Sequence, residues 1–369
     1  MNNRKVLIVT SEFPPGPGGI GSHAYSLSSY LHKNDILVTV LAPKEFKTTQ
    51  VDFDKKEAFK ILRYSGYKYF KILNILNIIF SEYKKSDNFT LISTGLLPFI
   101  VTGAFANIFN IKSVAIFHGH ELSMGNLFLK YISNYVVKNY NKVIAVSDFS
   151  GKILNKSLDN QKIKVIYNGI DINRFKKFNQ INTKRFKNDL SLLTVGSLSK
   201  RKGQHNVIRS LPEIKKYFAN VRYNMVGPDK IKRELFELAK SLGVEDSIKF
   251  YGYLEDNELS VLFNKSDLFL MLSENLPDGD VEGFGIAILE ANYFGLPAIG
   301  STDCGIENAI SDMETGILID NRNPIECRKA IVHILDNYKK FSQASKNWAK
   351  RHDWNIVIKK YIKTLQGDI

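Results

Sequence analysis

Short aliphatic and β-branched runs alternate with amphipathic stretches along the first half of the chain. These runs predict strands near residues 5–9, 36–41, 59–63, 89–93, 113–117, 142–146 and 163–167. Helical patterns fall between most of them. Such alternation is typical of βαβ units, so we expect a parallel sheet with helices on both faces.

The same alternation restarts at residues 191–196, after a polar and basic stretch without periodicity at residues 174–190. Further strands are predicted near residues 221–226, 247–251, 267–271, 297–299 and 316–319. A chain of 369 residues is also too long for one ordinary core. We therefore expect an α/β protein with two doubly wound, Rossmann-like domains, residues 1–173 and 191–352, joined by a linker at residues 174–190. Ligands of such folds bind at the carboxyl ends of the strands, so the expected site is a cleft between the two sheets.

A glycine-rich loop follows the first strand, and residues 16–21 carry the letters of a dinucleotide-binding fingerprint. That fingerprint needs its first glycine directly after the strand, whereas six residues intervene here, Pro14 and Pro15 among them. The second strand also lacks an acid at its end for a ribose. An NAD-linked oxidoreductase is therefore the weaker interpretation. Gly18 and Gly19 still let backbone amides approach an anionic ligand, just before a helix predicted to start near Ser22.

The composition is typical of a soluble globular protein, with 44% apolar and 24% charged residues. The start of the chain is charged and its first apolar run has only the length of a strand, so we expect no signal peptide. Cys304 and Cys327 make neither a disulfide framework nor a zinc pattern. These features favour a cytoplasmic protein.

The net charge of +14 is uneven, because residues 1–173 hold 21 Lys and Arg against 12 Asp and Glu. Nucleic acid, anionic lipid or a phosphorylated substrate would each suit this charge, but no nucleic-acid-binding signature is present. Residues 67–80 and 128–142 place aromatic and basic side chains on apolar helical patterns, which suits a membrane surface. The alternative is a pair of core-facing helices with solvated lysines, such as Lys68 and Lys71. Both interpretations remain open.

The densest candidate site lies in residues 280–300. Glu282 and Glu290 are separated by seven residues, and a helix is predicted to follow the glycines on either side of Phe284. Amides near Phe284, Gly285 and Ile286 would form an anion site at the positive end of that helix. The two carboxylates would repel an anion and suit sugar hydroxyls instead. The alternative is that one glutamate is solvated in a loop and the other on a helix surface.

Two cations, Arg201 and Lys202, follow the first strand of the second domain. Arginine offers a planar fork and lysine a point charge to phosphate oxygens. Cations are mildly unfavourable at a helix start, which favours a ligand-binding role over simple solvation. Asp278 and Asp280 spell the D-x-D of some metal-dependent sugar-nucleotide enzymes. Because two cations are already available for a diphosphate, we interpret both as loop residues and expect no metal.

In the first domain, His118 ends a predicted strand, where it could hydrogen-bond a substrate hydroxyl or carry a proton. A shared metal role with His120 and Glu121 is weaker, because alternate residues of an extended chain point to opposite sides. Ser147 ends another strand and Asp148 follows it. We expect one of these two to cap a helix.

The ordered set of motifs resembles the retaining glycosyltransferases of family 4, and the resemblance covers nearly the whole chain. It rests on Glu12-Phe-Pro-Pro, Gly18-Gly-Ile, His118-Gly-x-Glu, Asn168-Gly-Ile-Asp, Gly196, Arg201-Lys-Gly, Gly227, Glu282-Gly-Phe-Gly-x4-Glu and Gly295-x-Pro. The resemblance implies the GT-B fold, with a C-terminal helix at residues 353–369 that crosses back onto the first domain. It also implies that neither a metal nor a cofactor is needed.

The resemblance further implies a role for each candidate residue. The donor would be a nucleoside-diphosphate sugar held mainly by the second domain. Arg201, Lys202 and the amides of residues 284–286 would neutralise the leaving diphosphate. Glu290 would bind the ribose, Glu282 the donor sugar near its reacting carbon, and His118 the sugar or acceptor. Further donor contacts would come from Gly18, Gly19, Ser147, Gly196 and Gly227.

The activity implied is retaining transfer from a UDP- or GDP-sugar, by front-face attack, to a lipid-linked or surface-glycan acceptor in polysaccharide biosynthesis. The basic, aromatic helices of the first domain suit an acceptor at the inner face of the cell membrane. Residues 277–286 resemble members of the family that use GDP-mannose. A non-transferring enzyme of the same fold, such as a sugar-nucleotide epimerase, and a non-enzymatic protein that binds lipid surfaces or polyanions are the alternatives.

One stretch departs from the family pattern. Relatives often carry Gly-Gly-x-Pro-Glu after the strand near residues 297–299, whereas this chain reads Cys-Gly-Ile-Glu-Asn at residues 304–308. The proline is absent, and either Glu307 or Asn308 stands in place of the acid. Donor contacts at this point are therefore left open.

Overall fold

The computed structural model describes residues 4–16, 18–45, 48–67, 69–119, 121, 127–155, 158–178 and 189–367. The chain divides into two units. The first comprises Met1–Asn168 and Trp354–Ile369, and the second comprises Gly169–Asp353. The predicted boundary at residue 173 lies within the second unit, so the segment just after the Asn168-Gly169 turn belongs to the later domain.

The first unit is built on a seven-stranded sheet in the order β3-β2-β1-β4-β5-β6-β7. Its strands are β1 Lys5–Thr10, β2 Leu37–Pro43, β3 Lys60–Tyr64, β4 Phe89–Thr94, β5 Ser113–Phe117, β6 Lys142–Ala145 and β7 Ile163–Val165. Its helices are α1 Gly19–His32, α2 Thr48–Lys56, α3 Tyr69–Tyr83, α4 Leu96–Phe109, α5 Leu127–Val136 and α6 Asp148–Leu154. All strand pairs are parallel, as the alternation of strand and helix patterns predicts.

Strand β1 lies at the centre of this sheet, and every one of its residues is buried. Continuous burial is what a strand experiences when helices cover both faces of a parallel sheet. The helix after β1 begins at Gly19, three residues before the predicted start near Ser22. Gly19 therefore lies in the first turn of α1 and not in the loop before it.

The last helix of the chain belongs to the first unit. Helix α14, Trp354–Gln366, packs on α1. The indole of Trp354 stacks on Tyr30 at 6.0 Å between ring centroids, and the hydroxyl of Tyr361 is 2.9 Å from Nε2 of His23. The prediction that the C-terminal helix returns to the first domain is confirmed.

The second unit holds a six-stranded parallel sheet in the order β10-β9-β8-β11-β12-β13. Its strands are β8 Asp189–Val195, β9 Asn220–Val226, β10 Ile248–Phe250, β11 Leu268–Met271, β12 Ala298–Ser301 and β13 Gly316–Ile319. Its helices are α7 Ile172–Phe175, α8 Gln204–Lys215, α9 Lys232–Ser241, α10 Asp256–Lys265, α11 Ile286–Tyr293, α12 Pro324–Asp336 and α13 Tyr338–Arg351. Each strand predicted from the sequence is present, with ends displaced by a residue or two.

The predicted linker at residues 174–190 is structured at both of its ends. Helix α7 covers its first residues, and β8 begins at Asp189. Residues 179–188 lie outside the described part of the chain. A one-turn helix escapes periodicity analysis because it is shorter than the window in which a helical repeat is visible.

The aromatic, basic segment at residues 67–80 forms most of α3, and its two faces differ. One face buries Ile75 and Ile79 in the first core. The opposite face leaves Tyr69 and Phe70 79% and 77% exposed. Lys68 lies outside the described residues. None of the described helices has the length and apolarity needed to cross a bilayer.

A buried carboxylate near the end of α3 is surrounded by lysines. Glu82 accepts hydrogen bonds from Lys5 at 2.8 Å, Lys60 at 3.0 Å and Lys85 at 2.7 Å. The side chains of Glu82 and Lys5 are only 4% and 7% exposed. Burial alone would raise the pKa of Glu82, but the hydrogen bonds from the three lysines lower it to about 2.

We expect Glu82→Gln to destabilise the protein by about 3–5 kcal/mol at pH 7, because Lys5 would be left as an uncompensated buried charge. A carboxyl group with a depressed folded-state pKa stabilises the fold above its unfolded-state pKa, and loses that effect as the pH falls through the folded value. The difference from wild type should therefore be complete above pH ~4.5 and shrink towards pH ~2. Urea midpoints at several pH values measure it. The exposed Asp87→Asn is the control, and a difference independent of pH would contradict the assignment.

Candidate functional site

Two glycines bring the carboxyl ends of β8 and β9 into direct backbone contact. Gly196 follows β8 and Gly227 follows β9, with φ of 147° and 145°. A Cβ on Gly227 would lie 2.1 Å from the carbonyl oxygen of Gly196, and a Cβ on Gly196 would lie 3.2 Å from Cε of Lys202. Both positions therefore need glycine, and the absent side chain of Gly196 makes room for the lysine.

The two predicted cations converge on one carboxylate. Arg201 and Lys202 end a short 3₁₀ turn after β8, and both form ion pairs with Glu282. The ammonium of Lys202 is 2.8 Å from Oε2 of Glu282, and Nε of Arg201 is 3.1 Å from Oδ1 of Asp280. The side chains of Lys202 and Glu282 are only 14% and 10% exposed. The structure thus brings Arg201 and Lys202 together with Glu282, although Arg201 and Glu282 are 81 positions apart along the chain.

The electrostatics of this cluster are those of a site able to accept an anion. Burial and, to a smaller extent, the charge of Arg201 lower the pKa of Lys202 to about 7, although Asp280 and Glu290 oppose the shift. Two adjacent cations that face away from full solvation attract negative charge strongly. A diphosphate could replace the carboxylates of Asp280 and Glu282 as their partner.

The two aspartates of the D-x-D segment bind partners within the protein. Oδ1 of Asp278 accepts a hydrogen bond from the amide of Asp280 at 3.1 Å, while the carboxylate of Asp280 faces Arg201. Among the residues that the structure describes, no group of three His, Cys, Asp or Glu side chains is placed to hold a metal ion.

Helix α11 begins at Ile286, four residues after Glu282 in the sequence. Gly285 is the cap residue in the left-handed conformation, with φ of 83°. A Cβ there would lie 2.9 Å from Cγ2 of Ile306. Phe284 is buried, so it anchors the turn into the core. The amides of Gly285 and Ile286 lie at the N-terminus of the helix, where amides have no acceptor within the helix. They carry the positive end of the helix dipole.

The stretch that departs from the family pattern supports the loop of Glu282. The amide of Gly305 donates to the carbonyl oxygen of Glu282 at 3.0 Å, and a Cβ on Gly305 would lie 2.1 Å from that oxygen. The carboxylate of Glu307 accepts from the amide of Asp303 at 2.5 Å. Glu307 is thus engaged by its own loop, and Cys304 beside it is buried.

Glu290 lies on α11 and pairs with a residue that sequence analysis missed. Nη1 of Arg174 is 2.8 Å from Oε1 of Glu290, and the same guanidinium also binds Asp256. Burial raises the pKa of Glu290, and Arg174 opposes that shift. The polar surroundings of Arg174 predict a linker at this position. A signal for a short helix is nevertheless present in the sequence, because Asp171 is suited to cap a helix and the aromatic residue Phe175 is suited to anchor it.

In the first unit, His118 follows β5 and is held by its neighbours. Its Nε2 is 2.8 Å from Oγ1 of Thr94, and its ring meets that of His23 edge-on at 5.2 Å. The buried carboxylate of Glu121 accepts hydrogen bonds from the amides of His118 and Gly119. Glu121 therefore contacts the backbone of His118. His120 lies outside the described residues.

The remaining candidates also follow strands of the first sheet. A Cβ on Gly18 would lie 2.0 Å from Oε2 of Glu12, whereas a Cβ on Gly19 would meet no protein atom within 4 Å. Ser147 is the residue that caps α6, because its Oγ accepts from the amide of Ser150 at 3.0 Å. Of the two residues proposed for this cap, Ser147 fills the position and Asp148 is the first residue of the helix.

Comparison with known proteins gives matches over most of the chain. Residues 17–174 match the family model described as glycosyltransferase family 4, and residues 175–351 match the model described as glycosyl transferases group 1. Over 211 residues the chain is 26% identical to WcaL of Escherichia coli, a glycosyltransferase named for colanic acid biosynthesis. That match covers 56% of this chain and 51% of WcaL, so the chain spans about half the length of this relative.

Other matches extend over nearly the whole chain. The GDP-mannose-dependent alpha-(1-6)-phosphatidylinositol monomannoside mannosyltransferase of Mycobacterium tuberculosis is 24% identical over 379 residues, covering 99% of this chain and 98% of that protein. The crystal structure of HepE from Anabaena, in complex with UDP and glucose, is similar with a TM-score of 0.78. It is 19% identical and covers 99% of this chain and 100% of HepE.

The contact between Gly305 and Glu282 allows a test of how the loop is held. We expect Gly305→Ala to destabilise the protein by about 1–3 kcal/mol, because the new methyl group would displace the main chain of Glu282. The matched control is Gly19→Ala, whose methyl group meets open space and should leave the urea midpoint unchanged or slightly raised. Equal midpoints for the two variants would contradict the packing described here.

Proposed function

Because the chain belongs to family 4 of the glycosyltransferases, with a GT-B fold of two Rossmann-like domains, we propose that it transfers a sugar from a nucleoside-diphosphate sugar to a glycan or lipid-linked acceptor. The observation that carries this proposal is the cluster of Arg201, Lys202 and Glu282. Two adjacent, largely buried cations after the first strand of the domain offer a diphosphate the positive charge that it needs.

The donor diphosphate would bind Arg201 and Lys202 and displace their present carboxylate partners. Charge develops on the diphosphate as the bond to the sugar breaks, and cations already held in place stabilise it without reorganisation. The first-turn amides of α11, at Gly285 and Ile286, would add hydrogen bonds and the helix dipole. Phe284 would contribute through its amide, since its side chain is buried.

The two glutamates would recognise hydroxyl groups of the donor. Glu282 would bind the sugar near its reacting carbon, and Glu290 would bind the ribose. Ionised carboxylates accept hydrogen bonds from hydroxyls and give stronger bonds than neutral acceptors. Gly196 and Gly227 would contact the donor through their backbone, since neither position can hold a side chain without meeting Lys202 or the backbone of Gly196.

From the first unit, His118 would orient the sugar or the acceptor hydroxyl. Its hydrogen bond to Thr94 and its contact with His23 hold the imidazole in one orientation. The open space at Gly19 supports close approach of a phosphate to the first turn of α1. Gly18 is needed for the packing of Glu12, and Ser147 is engaged as a helix cap, so we assign both to the support of the site.

We propose a retaining, metal-independent reaction by front-face attack. The acceptor hydroxyl oxygen forms the new bond to the anomeric carbon while the bond from that carbon to the diphosphate oxygen breaks. The hydroxyl proton passes to the leaving phosphate. Arg201 and Lys202 supply the positive charge that a metal ion would provide in other transferases.

The names of the relatives leave two donors to be tested. The mycobacterial relative is named for GDP-mannose, and HepE is bound to UDP and glucose. Residues 277–286 favour a GDP-sugar. A role in polysaccharide biosynthesis is supported by WcaL, whose name refers to colanic acid. A sugar-nucleotide epimerase of the same fold is the second candidate.

A thermal-shift screen with UDP, GDP, ADP, TDP and NAD tests the donor directly. We expect one nucleoside diphosphate to stabilise the protein, by about 2.7 kcal/mol at a concentration of 100 Kd. Lys202→Met and Glu282→Gln should abolish transfer from the matching sugar nucleotide, whereas Lys200→Met, the exposed neighbour in the same turn, should not.

Stabilisation by NAD alone would contradict the proposal in favour of an oxidoreductase. Consumption of the sugar nucleotide without any acceptor would favour the epimerase. Full transfer activity in Lys202→Met or Glu282→Gln would show that the cluster is not the donor site.

We further propose that the acceptor is reached at an anionic membrane surface. Two helices of the first unit expose aromatic side chains, Tyr69 and Phe70 on α3 and Tyr131 and Tyr135 on α5. The formal charge of residues 1–173 is positive, which suits attraction to acidic headgroups. Aromatic side chains partition into the interface between headgroups and acyl chains.

We expect Phe70→Ser to weaken cosedimentation with vesicles of phosphatidylcholine and phosphatidylglycerol several-fold, and added salt to weaken it further. Ile325→Ser, which removes an exposed apolar side chain of α12 in the second unit, is the matched control. If the two variants bound these vesicles equally, α3 would be an ordinary packed helix.

A further inference from the structure

Arg174 makes a three-membered ion cluster inside the second unit. Its Nε lies 2.8 Å from both Oδ1 and Oδ2 of Asp256, and Nη2 also binds that carboxylate. Nη1 is free of Asp256 and lies 2.8 Å from Oε1 of Glu290. Asp256 therefore occupies one edge of the guanidinium, and the remaining nitrogen is directed at the glutamate.

Residues before and after Arg174 in the sequence fix its position in the fold. Asp171 caps α7 by accepting from the amide of Asn173 at 3.1 Å. Phe175 is fully buried against Phe263 and Phe294, with its ring 4.7 Å below the guanidinium. This anchoring limits the rotamers of Arg174 and reduces the entropy lost when it pairs.

The carboxylate of Glu290 has the guanidinium of Arg174 as its charged partner at 2.8 Å. Its side chain is 13% exposed, and removal of a carboxylate from water favours the protonated acid. Two neighbouring cations oppose that effect, Arg174 at contact distance and Lys202 at longer range, while Asp256 reinforces it. Among the described residues, Arg174 is the only one in hydrogen-bond contact with the carboxylate of Glu290.

We propose that Arg174 is a positioning residue that orients Glu290, with Asp256 holding the arginine, so that the second oxygen of Glu290 accepts a hydroxyl of the nucleotide. The inference rests on the proposed function of Glu290 in donor binding. It assigns part of the nucleotide site to α7 and α10, which touch no phosphate in the scheme above. An ion pair that only ties α7 to the domain is the competing explanation.

A double-mutant cycle separates the two. The probe is the nucleoside diphosphate, among UDP, GDP, ADP and TDP, that stabilises the wild-type protein most. Calorimetry gives its Kd for wild type, Arg174→Met, Glu290→Gln and the double variant. Each single change should weaken binding about tenfold, the loss expected for a hydrogen bond to a charged group. The double variant should bind within about threefold of Glu290→Gln, because Arg174 acts through Glu290.

Three further variants complete the test. Arg174→Lys, which keeps the charge and loses the fork, should recover part of the affinity. Arg233→Met on α9 removes an exposed arginine and should bind like wild type. If Arg174→Met does not fold, Asp256→Asn tests the same geometry, since release of the guanidinium should weaken binding by a smaller factor.

The possible results separate the positioning role of Arg174 from the proposed role of Glu290 in donor binding. Wild-type affinity in Arg174→Met together with weak binding in Glu290→Gln overturns the positioning role and leaves Glu290 in the donor site. Multiplying losses in the double variant also overturn it, since Arg174 would then act independently. Wild-type affinity in Glu290→Gln, or no binding of any of the four diphosphates, overturns the assignment of Glu290 and the inference with it.

Discussion

The pairing of buried cations with Glu282 is the constraint around which the second unit is arranged. Lys202 lies in the 3₁₀ turn that follows β8, largely out of water, where an unpaired ammonium would be costly. Glu282 is 80 positions further along the chain and has to be brought within 3 Å of it. The absent side chain of Gly196 leaves space for the lysine, and Gly305 packs against the main chain of Glu282.

This arrangement has a chemical consequence. A site that holds two cations against two carboxylates is neutralised without a ligand, so it can exist stably in a domain of ordinary charge. In the proposed function, a diphosphate would exchange for those carboxylates with little net loss of ion pairing, and the released Glu282 would become available to sugar hydroxyls. Under that proposal, the same side chain would compensate charge in the free protein and recognise substrate in the complex.

The first unit also pairs its buried carboxylates with nearby hydrogen-bond donors. Its buried carboxylates are each matched by donors close at hand: Glu82 by three lysines, and Glu121 by the amides of His118 and Gly119. The C-terminal helix adds Trp354 and Tyr361 around His23, which in turn contacts His118. The orientation of a candidate catalytic histidine thus depends on the last helix of the chain.

The sequence by itself determined the strands, their parallel arrangement and the two-domain fold, and it singled out Arg201, Lys202 and Glu282 as candidates without pairing them. These follow from hydrophobic periodicity, from glycines at strand ends and from the rule that parallel strands present their carboxyl ends at one edge, all of which are written in local order. Only the tertiary structure decided that Arg174 pairs with Asp256 and Glu290, at separations of 82 and 116 residues, and that Glu82 is the buried centre of three lysines. It also decided that α1 begins at Gly19 and that Ser147, not Asp148, caps α6. A charged side chain in a polar stretch has no periodicity to reveal its partner, because which opposite charge it meets depends on how distant elements pack.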